Sequence, residues 1–262
     1  MTRPPPCIRH ALFDLDGVVT DTATVHKRAW RALFDDALAG LPAACGGERA
    51  PFTDADYRAY VDGRPRLDGV ASFLAARGID VPLGDADDPP ERWTQHGLAA
   101  RKNALFQATL AAEGVTAFAD SLGYLRRLRH ANIPCAVVTA SRNAEAVLER
   151  AGLRTLFNLR VDGHTLASHA LAGKPSPASF LFAAAQLGAR PASCLLVEDA
   201  LAGVQAALAG GFGAILAIHR DAEGRGAGVQ ALRDAGAHRV VSGLGAMQPR
   251  PCSPPEPGVY PW

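Results

Sequence analysis

Three aspartates, Asp14, Asp16 and Asp21, lie within eight residues directly after an apolar segment. Carboxylates at this spacing repel one another unless a positive group lies among them. Placed where a buried strand ends, such acids can act as nucleophiles, as proton donors and acceptors, or as metal ligands. The segment therefore predicts a chemically active strand end that requires a positive partner.

Polar residues also follow later apolar runs of the chain, namely Thr139 with Ser141, Lys174, and Glu198 with Asp199. Each one alone has an ordinary structural explanation, because aspartates often cap helices or form turns and acids favour helix starts. In doubly wound sheets, however, ligands bind outside the carboxyl ends of the strands. Because polar residues follow several of the apolar runs, the pattern favours a catalytic site.

Short β-rich apolar runs alternate with helical patterns along most of the chain. We predict strands over residues 8–14, 135–139, 157–161, 194–197, 214–218 and 239–241. Helical stripes lie between them, such as Leu122, Leu125 and Leu128. This alternation predicts a parallel sheet with crossover helices.

One gap between predicted strands is about 120 residues long, too long for a loop inside a compact domain. It contains helical patterns over residues 22–39, 67–77 and 90–112. We therefore predict a helical cap over residues 22–115, inserted into a core formed by residues 1–21 plus 116–245. Residues 246–262 are proline-rich, and we expect them to form a mobile tail.

Four segments, FDLDGVVTD, VVTAS, GKPSP and VEDALAGVQAA, resemble the signatures of the haloacid-dehalogenase (HAD) superfamily of aspartyl-nucleophile phosphotransferases, in the family's order. The resemblance covers about residues 8–245. It implies an α/β fold, with a doubly wound Rossmann-like parallel sheet as the core and an inserted α-helical cap.

The resemblance also implies roles for the strand-end acids. Asp14 would attack phosphorus to give an aspartyl-phosphate, and Asp16 would protonate the leaving oxygen and later deprotonate the acceptor. The positive partner would be Mg²⁺, held by the Asp14 side chain, the Asp16 backbone carbonyl and Asp199, with Glu198 binding directly or through water.

Residues of two further signatures would stabilise the phosphoryl group. Lys174 would offset charge on Asp14, and Thr139 and Ser141 would supply donors at the turn into the next helix. Many relatives continue the lysine signature with an acid where this chain has Ala178. We expect Ser176 or Ser179 to replace that acid as a helix cap, so the change is structural.

The predicted cap resembles that of the β-phosphoglucomutase subfamily. The matching positions are Thr22, His26, Arg66, Lys102, Arg142 and Asn143. Each could otherwise be a solvated or helix-face residue. By resemblance, Arg66, Arg142 and Asn143 would hold a distal phosphate, while His26 and Lys102 would couple substrate binding to cap closure.

These features predict a phosphotransferase that interconverts β-glucose 1-phosphate and glucose 6-phosphate through a sugar bisphosphate. A sugar-phosphate phosphatase with the same nucleophile is the main alternative, and the sugar itself stays open. An inactive binding protein is disfavoured because Asp14, Asp16, Lys174 and Asp199 are all present.

The composition argues against other partners. The 27 basic and 26 acidic residues nearly balance, so there is no basic excess for nucleic acid or anionic membranes. The five scattered cysteines form no CxxC pair, and we expect free thiols in a reducing compartment. The start MTRPPP lacks the apolar region of a signal peptide. We expect a cytoplasmic monomer, since a monomer suits a cap that must swing.

Overall fold

The computed structural model describes residues 8–220 and 225–249. The predicted proline-rich tail lies outside these residues from position 250 onward. Cys7 and Cys252 are also outside them, whereas Cys135 and Cys194 are buried with free thiols, as predicted.

Six parallel strands form one sheet in the order β3-β2-β1-β4-β5-β6. Their bounds are β1 His10–Phe13, β2 Cys135–Val138, β3 Leu159–Val161, β4 Cys194–Glu198, β5 Ala214–Ile218 and β6 Arg239–Val241. All six predicted strands are present. Both β1 and β3 begin two residues later than predicted, at His10 and Leu159.

Helices connect and flank the strands. They are α1 Thr22–Gly40, α2 Asp54–Asp56 continuing as a π-helical turn Tyr57–Val61, α3 Arg66–Ala76, α4 Gln95–Glu113, α5 Ala119–His130, α6 Ala144–Arg150, α7 Gly163–Ser168, α8 Ala178–Gln186, α9 Leu201–Ala209 and α10 Arg225–Asp234. Single 3₁₀ turns lie at Ala43–Cys45, Arg154–Leu156 and Pro191–Ser193. None of the described helices combines the length and apolarity needed to cross a membrane.

The sheet is covered on both faces, as its continuous apolar strands require. Successive side chains of a strand point to opposite faces. In β1, Ala11 and Phe13 accordingly join one hydrophobic cluster, and Leu12 joins the other. This double coverage leaves the strand ends as the places where polar side chains gather.

The segment between β1 and β2 is helical, as predicted, and builds a third hydrophobic cluster. Its centre is aromatic, with the Phe34 and Phe73 rings 4.0 Å apart. Helix α4 begins at Gln95 and not at the predicted residue 90, because the Thr94 hydroxyl accepts a hydrogen bond from Gly97 N (3.0 Å) and so caps the helix there. The separate cluster supports the proposed cap.

The two linkers between cap and core lie side by side. Asp21 N donates to Thr116 O (2.9 Å), and Phe118 N donates to Val19 O (3.0 Å). The inner faces of α1 and α4 also join the cluster on the core sheet through Val25 and Phe106. Cap and core are therefore packed together at the linkers.

A buried acid stabilises the cap, and we expect Asp56→Asn to lower the free energy of unfolding by about 1–3 kcal/mol. The Asp56 carboxylate accepts hydrogen bonds from Thr53 N (2.8 Å), the Thr53 hydroxyl (2.6 Å) and Arg77 Nη2 (2.8 Å). Burial raises the Asp56 pKa, but these donors outweigh burial and lower it below the ordinary value.

The lowered pKa of Asp56 determines how its contribution to stability depends on pH. Stability from Asp56 is fully present above the ordinary carboxyl pKa of about 3.9 and is lost as pH falls through the lower folded value. Denaturant titrations followed by tryptophan fluorescence should show a gap between wild type and Asp56→Asn at pH 7 that closes on acidification. The exposed cap variant Asp87→Asn is the control. Equal midpoints for Asp56→Asn and wild type at pH 7 would contradict this role.

Candidate active site

The backbone after β1 places Asp14 and Asp16 at the carboxyl edge of the sheet. Asp14 is buried, and its N–H donates to Val197 O of the neighbouring strand β4 (2.9 Å). Gly17 has a φ of +86°, and a methyl group at this position would overlap the Asp199 carboxylate. Glycine is therefore needed here so that the loop can turn directly against Asp199.

Lys174 lies among the acids at the ends of β1 and β4. Its ammonium lies 2.5 Å from Asp14 Oδ1 and also contacts Glu198 Oε1. The second Glu198 oxygen accepts hydrogen bonds from Asp199 N (2.9 Å) and Ala200 N (3.0 Å). Burial lowers the Lys174 pKa, but Asp14 and Glu198 outweigh burial and raise it, so the lysine stays charged.

The three acids at this edge outnumber the one lysine that contacts two of them. Asp14, Glu198 and Asp199 each offer a carboxylate oxygen, and these oxygens lie within 4.8 Å of one another. Burial raises the pKa of Asp14 and of Asp199 well above the ordinary value, and neighbouring carboxylates raise both further. Three oxygen ligands with excess negative charge fit a hard divalent cation such as Mg²⁺.

Asp16 is held by hydroxyl groups from two directions. Thr22 donates to its Oδ1 (2.5 Å) and Thr139 to its Oδ2 (3.1 Å), and His26 Nε2 lies 3.5 Å from Oδ1. Burial raises the Asp16 pKa, but His26 and the two hydroxyls outweigh burial and lower it to about 2. Asp16 is therefore ionised and oriented near neutral pH.

These contacts indicate a different role for Thr22 and an additional one for Thr139, which also lines the cleft. Thr22, expected to bind substrate, is buried at the base of α1 and contacts Asp16 instead. The Thr139 hydroxyl, expected to face the phosphoryl group, donates to Asp16 and accepts from Ser141 N (3.1 Å). We infer that both threonines orient Asp16.

One of the two serines expected to replace the relatives' acid, Ser176, contacts the start of α8. Ser176 Oγ accepts a hydrogen bond from Ala178 N (3.3 Å) at the start of α8. A serine hydroxyl thus satisfies one backbone donor in the first turn of this helix.

The cap contributes the buried Lys102 and the half-buried His26 next to Asp16. Lys102 Nζ lies 2.5 Å from His26 Nδ1, and the His26 ring stacks on Phe106 with centroids 4.1 Å apart. Burial lowers the Lys102 pKa well below its ordinary value, and the nearby charge of Arg66 lowers it further. The structure thus brings His26 and Lys102 together beside Asp16, as their proposed role in closure requires.

Two of the three residues predicted for a distal phosphate, Arg66 and Asn143, meet around one amide that the sequence reading did not single out. Asn103 Oδ1 accepts hydrogen bonds from Arg66 Nη2 (2.8 Å) and from Asn143 Nδ2 (3.0 Å). Burial lowers the Arg66 pKa to about 10, and Arg142 adds to this effect. Arg142 is exposed at the rim. Two like charges close together favour an anion between them.

Sequence reasoning missed several cap residues that line the cleft. The π-helical turn Tyr57–Val61 places Tyr57 and Asp62 on the cleft, and Trp30 of α1 also lines it. Burial raises the Asp62 pKa to about 6, and the negative charge of Glu198 contributes. An aspartate before a glycine reads as a turn former, so sequence alone gave no sign of this position.

The cap loop of residues 62–65 packs directly against the core. A methyl group added to Gly63 would lie 3.1 Å from Ala200 Cβ, and Pro65 packs so closely on Gly173 that a methyl group there would overlap it. A cleft of about 610 Å³, its open mouth included, lies between Asp14, Asp16 and Asp199 of the core and Arg66 and Lys102 of the cap. The arrangement suits transfer of a phosphoryl group to and from Asp14.

Comparisons with known proteins show which family the chain resembles. A haloacid dehalogenase-like hydrolase family model matches residues 8–211. A β-phosphoglucomutase from Mycobacterium bovis is 44% identical over 244 residues, covering 93% of this chain and 92% of that protein. A fructose-1-phosphate phosphatase from Escherichia coli is 32% identical over 211 residues, covering 78% and 93%.

A solved structure gives the same fold. The β-phosphoglucomutase from Clostridium difficile superimposes with a TM-score of 0.69 at 22% sequence identity, covering 92% of this chain and 93% of that one. With the sheet order, the strand-end residues and the family match taken together, the chain belongs to the haloacid dehalogenase-like hydrolase family.

Proposed function

We propose that the chain is a β-phosphoglucomutase-type phosphotransferase that interconverts β-glucose 1-phosphate and glucose 6-phosphate through a sugar bisphosphate. One observation carries this proposal: a single cleft has two ends suited to phosphate. Asp14, paired with Lys174, lines one end, and the half-buried Arg66, which donates to Asn103, lines the other. A bisphosphate needs both ends, whereas hydrolysis of a monophosphate needs one.

The core residues divide the chemistry between them. Asp14 takes the phosphoryl group as an aspartyl-phosphate, while the charged Lys174 offsets negative charge as the carboxylate approaches phosphorus. Asp14, Glu198 and Asp199, with the Asp16 backbone carbonyl, would hold Mg²⁺, which neutralises phosphoryl oxygens when bound. The ionised Asp16, fixed by Thr22 and Thr139, accepts the proton of the attacking sugar hydroxyl.

The cap residues bind and enclose the sugar. Fork-like donors of Arg66, together with the Asn143 amide and the rim residue Arg142, suit the distal phosphate. Ser141 lines the cleft beside Thr139 and is placed to donate to the transferring group. His26 and Lys102 link the position of α1 and α4 to Asp16, so closure brings the cap charges into place.

A sugar-phosphate phosphatase is the second candidate. The relative from Escherichia coli is named for phosphatase activity, and Asp16 could equally activate water. The two activities differ in what accepts the phosphoryl group and not in the nucleophile. Whether water enters the closed cleft therefore decides between them.

The decisive test is a product assay with the full chain and Mg²⁺. β-Glucose 1-phosphate primed with a trace of glucose 1,6-bisphosphate should give glucose 6-phosphate with little inorganic phosphate, and the α anomer should react poorly. Arg66→Ala should reduce glucose 6-phosphate formation by about 10²-fold or more, while hydrolysis of p-nitrophenyl phosphate, which has no distal phosphate, should persist. Stoichiometric phosphate release would instead favour the phosphatase.

We further propose that the protein acts in the cytoplasm as a monomer. The near balance of basic and acidic residues supports a small sugar phosphate as the partner, without a nucleic acid or membrane surface.

A further inference from the structure

Arg220, just after β5, binds the loop that carries the catalytic acids. Its Nε donates to Gly17 O (3.1 Å), and its Nη2 donates to Val18 O (3.2 Å). These carbonyls directly follow Asp16, and Gly17 is the residue packed against Asp199. One guanidinium therefore fixes the backbone on which the spacing between Asp16 and Asp199 depends.

The same guanidinium binds the first turn of α5, directly after the linker by which the chain returns from the cap. Its Nη2 also donates to Ser121 Oγ (2.9 Å), and its Nη1 donates to Asp120 Oδ2 (3.1 Å). Its plane lies over the Phe118 ring, with Cζ 3.6 Å from the ring centroid. Arg220 is thus bound to both cap linkers from a fixed position at the end of a core strand.

A second contact joins the loop after β1 to α5 at the same point. Ser121 Oγ donates to Val18 O (2.6 Å) while it accepts from Arg220. Ser121 is fully buried, so the hydrogen bonds are shielded from water. The planar fork of arginine can reach all these acceptors at once, which the single ammonium of lysine cannot do.

We propose that Arg220 is a positioning residue that sets the spacing of Asp16 from Asp199 and the pivot about which the cap closes. The inference rests on the proposed function, because its consequence is the exclusion of water from the aspartyl-phosphate. Without the fork, the Gly17–Val18 backbone is free to shift, and errors of about 1 Å in an active site cost about 10²-fold in rate. A loosened pivot also admits water to the closed cleft.

Arg220→Lys is the test variant, and Arg127→Lys is the matched control. Arg127 of α5 also binds backbone carbonyls, Leu244 O and Gly245 O (both 3.1 Å), close to the same region, but it does not contact Gly17 or Val18. Both variants keep the positive charge. Glucose 6-phosphate formation, inorganic phosphate release and the Mg²⁺ concentration for half-maximal rate should be measured for each.

For Arg220→Lys we expect kcat to fall about tenfold or more, KM to change less, and the ratio of phosphate to glucose 6-phosphate to rise several-fold. A variant that is merely less folded loses both products equally, so its ratio does not move. Ser121→Ala should raise the ratio by a smaller factor and serves if Arg220→Lys does not fold. Arg127→Lys should keep the wild-type ratio.

The outcomes separate this inference from the proposed function. If the wild type makes no glucose 6-phosphate, the proposed function fails, and Arg220 is then judged by p-nitrophenyl phosphate hydrolysis. A drop of about tenfold in Arg220→Lys but not in Arg127→Lys would still support positioning of Asp16. Product ratios and rates that match between the folded Arg220→Lys and Arg127→Lys proteins would overturn the inference.

Discussion

Asp14→Asn is expected to abolish phosphoryl transfer, with a loss of about 10⁴-fold or more, while the fold is kept. The amide has nearly the shape of the carboxylate but cannot form the aspartyl-phosphate. It also removes a negative charge from a buried group of acids, since Glu198 and Asp199 lie beside Asp14. We therefore expect the Asp14→Asn protein to fold.

Steady-state rates and circular dichroism together test this expectation. Asp21→Asn is the matched control, because Asp21 belongs to the same run of acids but contacts the Thr24 hydroxyl (3.2 Å) and not the acids at the sheet edge. Asp21→Asn should keep near wild-type rates. A folded Asp14→Asn protein with measurable turnover would contradict the nucleophile assignment.

Asp16→Asn is expected to have the second largest effect, slowing transfer to a sugar hydroxyl by about 10²–10⁴-fold. The asparagine cannot accept a proton, although Thr22 and Thr139 can still hold it in place. The expected metal ligand of this residue is its backbone carbonyl. The Mg²⁺ concentration for half-maximal rate should therefore change little.

With p-nitrophenyl phosphate as the phosphoryl donor, formation of the aspartyl-phosphate and its transfer to a sugar can be measured separately. p-Nitrophenolate leaves without protonation, so rapid-mixing experiments with p-nitrophenyl phosphate should still show formation of the aspartyl-phosphate in Asp16→Asn. The following transfer to a glucose phosphate should be slow. If both steps slow by the same factor, Asp16 acts through structure, and its role in proton transfer is wrong.

The predicted strands and the edge at which the site lies could be read from local patterns. Buried parallel strands are short and apolar, and polar residues at their carboxyl ends stand out against them. Asp14, Lys174 and Glu198 come from distant parts of the chain, yet the sheet order places β1 beside β4 and so brings them into contact. Element ends were less predictable, as α4 shows, because a single capping hydroxyl decides where a helix begins.

The amino-acid sequence by itself indicated which residues could do chemistry and at which edge of the sheet they would meet, because side-chain period and the position of polar residues after apolar strands are local patterns. Only the tertiary structure decided that Thr22 and Thr139 bind Asp16, that Asn103 joins Arg66 to Asn143, and that Arg220 holds both linkers. Such contacts join residues up to about 200 positions apart. They depend on how cap and core pack, and no local periodicity encodes that packing.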